Sequence, residues 1–149
     1  MVKNLDDNDL QAIDHIGVAL WQAAASWRVR FRREMAERGF PWHDTAAGEV
    51  LAHLGPSGIG QTLLTERMGL SKQAVQQLLD RLEADGVVRR TADPGDKRAR
   101  RVELTALGLA DYAERGRVKR AIEAEYRDIV GDKLFRKLRK SLRLLARAA

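Results

Sequence analysis

The chain has no cysteine. Disulfides, thiolate sensing and Cys-based metal sites are therefore excluded, and a cytoplasmic setting fits. Aromatic residues make up 5% of the sequence and there are three prolines. No low-complexity linker or internal repeat is visible. No apolar run reaches the roughly 20 residues that a membrane helix needs. The opening stretch MVKNLDDNDL lacks a basic region followed by an apolar one, which points away from a secretory signal. His15, His43 and His53 are too scattered to supply a metal site, which needs several ligands at defined spacing. Nucleophile–base motifs are lacking, and Gly58-Ile59-Gly60 follows no strand, so it is no phosphate loop. Neither an enzyme nor a resident cofactor is expected.

What is present is positive charge. A formal net charge of +6 and a pI near 10.1 suit a nucleic-acid partner, although a generally basic protein would look the same by charge alone. With 149 residues, 44% of them hydrophobic, the chain has material for one domain with a core, 1–149.

The most informative stretch is Gly60 to Leu104. Ser71 suits an N-cap, because its hydroxyl accepts from an otherwise unpaired amide of the first helical turn. Val75, Leu78, Leu79 and Leu82 then fall on one helical face, and Gly86 suits the left-handed residue that closes a helix. The opposite face carries Gln73, Gln76 and Gln77, with Lys72 at its edge. Such groups read base edges in a major groove. Upstream, Gln61 to Met68 predicts a short helix, and Gly69-Leu70-Ser71 a tight connection. The pair makes a helix-turn-helix. Downstream, Val87 to Thr91 and Arg100 to Leu104 are short strand candidates around Asp93-Pro94-Gly95-Asp96, a turn in which Pro presets φ and Gly allows the reversal. A basic hairpin behind a recognition helix is a wing. Its Arg89, Arg90, Lys97, Arg98, Arg100 and Arg101 are candidate phosphate contacts.

Residues 60–110 resemble the MarR family of winged-helix transcription regulators. The second helix fits S-x-x-x-V-x-x-x-L/V-D-x-L-E-x-x-G with Ser71, Val75, Leu79, Asp80, Leu82, Glu83 and Gly86. The wing fits D-P-x-D-x-R with Asp93, Pro94, Asp96 and Arg98, and L-T-x-x-G follows as Leu104, Thr105 and Gly108. The chain departs from the family at Thr65, where a small Ala is usual, and at Gly60, where a Ser or Thr cap is usual. The resemblance implies a mainly α fold with a small β-hairpin wing, and DNA contacts from Ser71, Lys72, Gln73, Gln76, Gln77, Arg89, Arg90, Lys97, Arg98 and Arg100. It further implies a minor-groove role for Arg98, a salt bridge from Asp96 that orients the wing, and a homodimer on a pseudo-palindromic double-stranded operator. The alternative for the same fold is a protein- or RNA-binding module.

The flanks are helical. Residues 8–38 carry Leu10, Ile13, Gly17, Leu20, Trp21, Ala24, Phe31 and Met35 on one stripe, closed by Gly39 and Pro41. Asp44 is expected to cap a second helix with Val50, Leu51 and Leu54 inward. Thr105 is expected to cap a long helix to about Val130, with Leu107, Val118, Ala121, Ile122 and Ile129 on one side and with Asp111, Glu114 and Glu125 also on that stripe. A last helix, about Asp132 to Arg147, places Leu134, Phe135, Leu138, Leu142 and Leu145 on one face. The long helices, 8–38 and 105–149, are the expected dimerisation layer, with Leu10, Ile13, Leu134, Leu138, Leu142 and Leu145 at its seam, around a DNA-binding lobe of residues 44–104. Arg28 interrupts the first stripe. It is expected either to pair with Asp111, Glu114 or Glu125, or to bind a small anionic aromatic effector beside Trp21, Trp27 and Trp42. The acidic Asp6, Asp7, Asp9 and Asp14 are expected to face the basic last helix of a partner subunit.

Overall fold

The computed structural model describes residues 15–148, so Leu10, Ile13 and the four N-terminal aspartates lie outside the described residues. Helix α1 runs Ile16–Glu37, opened by His15, whose Nδ1 accepts the Gly17 N–H at 3.1 Å. Gly39, at φ +90°, turns the chain out of it. A 3₁₀ turn, Pro41–Asp44, precedes helix α2, Ala47–Ala52. The expected capping role of Asp44 is corrected here. Asp44 ends the 3₁₀ turn that Pro41 opens, and α2 begins from Ala46 without a side-chain cap. Gly48 packs directly on that turn: a Cβ there would lie 2.7 Å from His43 Cα.

Strand β1, Ile59–Gly60, leads into α3, Gln61–Met68. The departures from the family pattern lie at the start of α3 and within it. Gly60 caps it without a side-chain bond, and Thr65 Oγ1 donates back to Gln61 O at 2.9 Å. Gly69, at φ +64°, turns into Ser71, whose Oγ accepts Ala74 N–H at 3.1 Å and opens α4, Lys72–Ala84. Strands β2, Val88–Asp93, and β3, Asp96–Leu104, form the hairpin. β1 pairs with the other side of β3, Ile59 opposite Val102, which makes a three-stranded antiparallel sheet in the order β1-β3-β2. Ala47, Val50, Leu51, Leu54, Ile59, Leu64, Val75, Leu79, Leu82, Val87, Val88, Val102 and Leu104 form one core beneath sheet and helices.

Helix α5, Ala106–Val130, is capped by Thr105, whose Oγ1 accepts Gly108 N–H at 3.2 Å, and Gly131 separates it from α6, Asp132–Arg147. α5 runs antiparallel to α1. Phe31 and Met35 meet Val118 and Ile122, with Trp27, Phe40 and Tyr126 around them. Ion pairs Arg30–Glu125 and Arg38–Glu114 flank this seam. Burial splits the expected α5 stripe. Val118 and Ile122 are buried, whereas Leu107, Ala121 and Ile129 face out. The inward face is Gly108, Asp111, Arg115, Val118 and Ile122: of the acids expected on the stripe Asp111 is buried, and Arg115 joins it there.

Candidate nucleic-acid interface

Helix α4 turns Val75, Leu79 and Leu82 into the core and leaves Lys72, Gln73, Gln76 and Gln77 exposed. Lys72 and Gln76 share an open cleft with Gln61, Thr62, Thr65 and Glu66 of α3, with Arg90 of β2 and with Arg98, Ala99 and Arg100 of β3. The fold thus brings together the α4 face and three wing arginines, Arg90, Arg98 and Arg100, from separate stretches of the sequence. Lys97 is exposed at the start of β3. The cleft sides are amide, hydroxyl and cationic groups, with Glu66 as its one carboxylate.

The wing arginines divide by strand parity. Arg90 lies two residues from the buried Val88 and faces α4. Its guanidinium bonds Asp80 Oδ1 at 2.5 Å and Glu83 Oε1 at 2.9 Å, its backbone N–H donates to Glu83 Oε2 at 2.9 Å, and its side chain is 9% exposed. These bonds hold the Glu83 carboxyl below the usual range and raise the guanidinium's own basicity. The same bonds hold the wing to α4, while Arg90 also lines the cleft. Arg89, on the other strand face, pairs with its cross-strand neighbour Glu103 at 3.0 Å, and Arg101 donates to Ser57 O and sits 3.9 Å from Glu103. Among the described residues no ion pair takes up Lys72, Lys97, Arg98 or Arg100, which leaves their charges available.

Asp96 is the residue expected to orient the wing. It makes no salt bridge among the described residues; Oδ1 accepts the Arg98 backbone N–H at 2.9 Å, while Asp93 Oδ1 accepts Gly95 N–H at 2.8 Å. Short carboxylates bond most readily to backbone two residues on. Asp96 therefore shapes the strand that carries Arg98.

Among the described residues Arg28 makes none of the ion pairs expected of it. It is exposed on α1, and the acids proposed for it are taken by other arginines: Glu125 by Arg30, Glu114 by Arg38 and Arg117, Asp111 by Arg115. Within one chain the four proposed effector residues form no common site. Trp42 donates to Asp85 Oδ2 at 3.1 Å, Trp27 stacks on Phe31 with centroids 5.1 Å apart, and Trp21 is 67% exposed.

One buried cluster went unforeseen. His43 Nε2 lies 2.6 Å from Asp111 Oδ1. Arg115 Nε lies 2.9 Å from Asp111 Oδ2, close enough for an ion pair although not aligned as a hydrogen bond. The Arg115 terminal nitrogens donate to Leu51 O at 2.5 Å and Leu54 O at 3.3 Å. Burial lowers the Arg115 basicity and Asp111 partly restores it. The available signal was Asp111 and Arg115, four apart, on the same face as Val118 and Ile122.

Residues 44–99 match the sequence model of the MarR family. The chain is 32% identical over 92 residues to YcgE of Bacillus subtilis, an uncharacterized HTH-type transcriptional regulator; the match spans 61% of this chain and 58% of that protein's length. The transcriptional repressor CouR, in a structure bound to a 23-mer DNA duplex, superposes with a TM-score of 0.71 at 26% identity, covering 97% of this chain and 99% of CouR. CouR from Rhodococcus jostii RHA1 bound to p-coumaroyl-CoA superposes at 0.67 with 24% identity, covering 89% and 92%. YusO of Bacillus subtilis shares the fold at a TM-score of 0.66 and 24% identity, over 97% of this chain and 100% of its own. The motifs, the winged lobe hung on long helices and these likenesses agree on the fold: the chain is a winged helix-turn-helix protein, and its residues 44–99 are similar to the MarR family of transcription regulators.

Proposed function

We propose that the chain acts as a homodimeric repressor that binds a pseudo-palindromic double-stranded operator. The observation that carries this reading is the cleft at which Lys72 and Gln76 of α4 meet Arg98 and Arg100 of the wing, cations without ion-pair partners among the described residues. In this reading Ser71, Lys72, Gln73, Gln76 and Gln77 enter a major groove, while Lys97, Arg98 and Arg100 follow the backbone, with Arg98 in the adjoining minor groove. Arg89 joins the phosphate set if Glu103 releases it, and Arg90 contributes through the part of its guanidinium that Asp80 and Glu83 leave free. A two-fold dimer fits half-sites about 10 bp apart, or a multiple of that. CouR, a repressor bound to duplex DNA, supports the reading by likeness.

The test is selection of bound duplex fragments from the source genome, followed by gel shifts across a salt series. Expected are a recurring palindrome and an affinity that falls steeply with salt as counterions are released. Equal binding of RNA, or a flat salt response, would favour the protein- or RNA-binding alternative.

Release by a small anionic aromatic effector belongs to the same proposal, and CouR bound to p-coumaroyl-CoA supports it. The structure gives Trp27 different company from that expected: an open cleft lined by Trp27, Lys119, Glu123, Tyr126 and Phe135. Lys119 Nζ lies 5.7 Å from the centre of the Phe31 ring, and burial lowers its basicity, helped by Arg115. Lys119 thus replaces Arg28 as the favoured cation. A substituted benzoate should quench tryptophan fluorescence and weaken operator binding, and operator should weaken the benzoate by the same factor. Lys119→Met should abolish both effects and Arg28→Met should spare them; the reverse pattern would restore Arg28.

A further inference from the structure

The buried polar or charged side chains among the described residues are His43, Asp111 and Arg115, and they contact one another. Buried polarity is therefore gathered at one place, where the DNA-binding lobe meets the long helices. Three elements converge there. His43 comes from the 3₁₀ turn, with the Phe31 ring of α1 edge-on to it at 5.3 Å. Asp111 and Arg115 come from α5. The carbonyls that Arg115 binds, Leu51 and Leu54, belong to the last turn of α2 and the residues just after it, in the lobe core.

A helix C-terminus carries unpaired carbonyls and partial negative charge, and a guanidinium satisfies both. Here the cation arrives from a different element, so it ties the end of α2 to α5 in a fixed direction. A guanidinium has rigid donor geometry. Apolar contacts are non-directional and let packed elements slide. Buried ion pairs contribute little net stability compared with apolar residues of similar size. An effect on stability therefore does not explain why charge sits here, whereas an effect on geometry does.

We infer that His43, Asp111 and Arg115 form the joint that fixes the angle between the winged lobe and the long helices, and are thereby positioning residues for operator half-site spacing. This rests on the operator reading above. The recognition helix α4 rides on the same lobe core as Leu51 and Leu54. A shift of about 3.4 Å along the groove is one base-pair step, so a small rotation at the joint moves each α4 out of register with its half-site.

The absence of native cysteine permits a direct test. Cysteines introduced at the exposed Arg81 of α4 and Asp128 of α5 carry spin labels in one chain, diluted with unlabelled chain so that pulsed EPR reports the intrachain distance. Three backgrounds are compared. His43→Gln keeps an N–H donor toward Asp111. The triple variant His43→Phe/Asp111→Leu/Arg115→Met fills the joint with apolar groups. Asp111→Asn serves should the triple variant fail to fold. Unlabelled counterparts are assayed on the selected operator and on one with 1 bp inserted between half-sites.

His43→Gln should keep the parent distance distribution. The triple variant should melt at or above the parent temperature, yet show a broadened or displaced distribution and lose about tenfold in discrimination between the two spacings. Asp111→Asn should also broaden the distribution. A folded triple variant, or failing that Asp111→Asn, with the parent's narrow distribution overturns the joint. Because the EPR measurement involves no DNA, failure to bind any duplex overturns the operator reading separately.

Discussion

Arg90 and Arg98 are both wing arginines that line the cleft, and the fold gives them different surroundings. Arg98 stands exposed at the cleft, while Arg90 is clasped by Asp80 and Glu83. Gln73→Ala or Gln76→Ala should relax base preference, each lost contact costing about 1–3 kcal/mol. Arg98→Ala should weaken binding with less change in preference at major-groove positions. Gel shifts on single-base operator variants check this, and unchanged affinity in all three would refute the docking. Arg90→Met should act through stability, costing about 1–3 kcal/mol in urea unfolding because bonds to charged groups are lost. Its pH signature follows from Glu83, whose folded value is depressed chiefly by the Arg90 side-chain bond. A depressed carboxyl stabilises the fold above its ordinary value of 4.5, and that contribution fades as pH falls through the lower folded value. Parent stability should decline below pH 4.5, and Glu83→Gln should flatten that decline. The inward position of Arg90 was legible in strand parity with Val88, but charge type outweighed parity in the reading. The partners of Arg28 were not legible, because Arg30 and Arg28 offer the same chemistry and only packing decides which meets Glu125.

At the level of elements, the strong local signals held. Ser71 caps α4, Thr105 caps α5, and Gly69, Gly86 and Gly131 occupy positive-φ positions. These are read from sequence because caps and turns depend on few neighbouring residues. β1 escaped notice for the opposite reason: two residues carry no periodicity, and Ile59–Gly60 becomes a strand only because β3 has a free edge. The buried face of α5 was legible only in part: Asp111 stood on the expected stripe, but an apolar count cannot anticipate Arg115, or that His43 and carbonyls of α2 satisfy the two. Gly108 shows how tightly the elements close. A Cβ there would lie 2.2 Å from Val87 O, where the start of α5 crosses the chain leaving α4. Gly108→Ala should therefore force the two apart and destabilise by about 1–3 kcal/mol or more. Calorimetry measures the loss, and a melting temperature equal to the parent's would contradict this close approach.

The molecule as a whole leaves a large apolar surface exposed. Ile16, Leu20 and Trp21 of α1, Ile129 of α5, and Leu134, Leu138, Leu142 and Leu145 of α6 are all at least 39% exposed, and Phe135 is the one buried residue of α6. Isolated exposed leucines need no explanation, but a contiguous helical stripe of them does. A second copy of the chain is the occupant that the long helices suit. Burial of the α6 leucines would supply most of the association, at about 25 cal/mol per Å² of apolar surface. Charge then bears on orientation. α6 carries Lys133, Arg136, Lys137, Arg139, Lys140, Arg143 and Arg147 against Asp132 alone, while Asp6, Asp7, Asp9 and Asp14 crowd the N-terminal stretch. Within the chain only Arg139 of α6 finds a carboxylate, Glu123 at 3.3 Å, among the described residues. We propose that the acidic N-terminal stretch of one protomer lies along α6 of its partner. Exposed ion pairs contribute little each and are screened by salt, so their effect belongs at low ionic strength. Leu138→Asp should give monomers by sedimentation and abolish operator binding. Reversal of Asp6, Asp7 and Asp9 to Lys should weaken dimerisation at low salt, with the difference shrinking as salt rises. Should the reversal leave the dimer constant untouched at low salt, while charge removal from α6 weakens DNA binding by an intact dimer, α6 would instead be a second DNA surface.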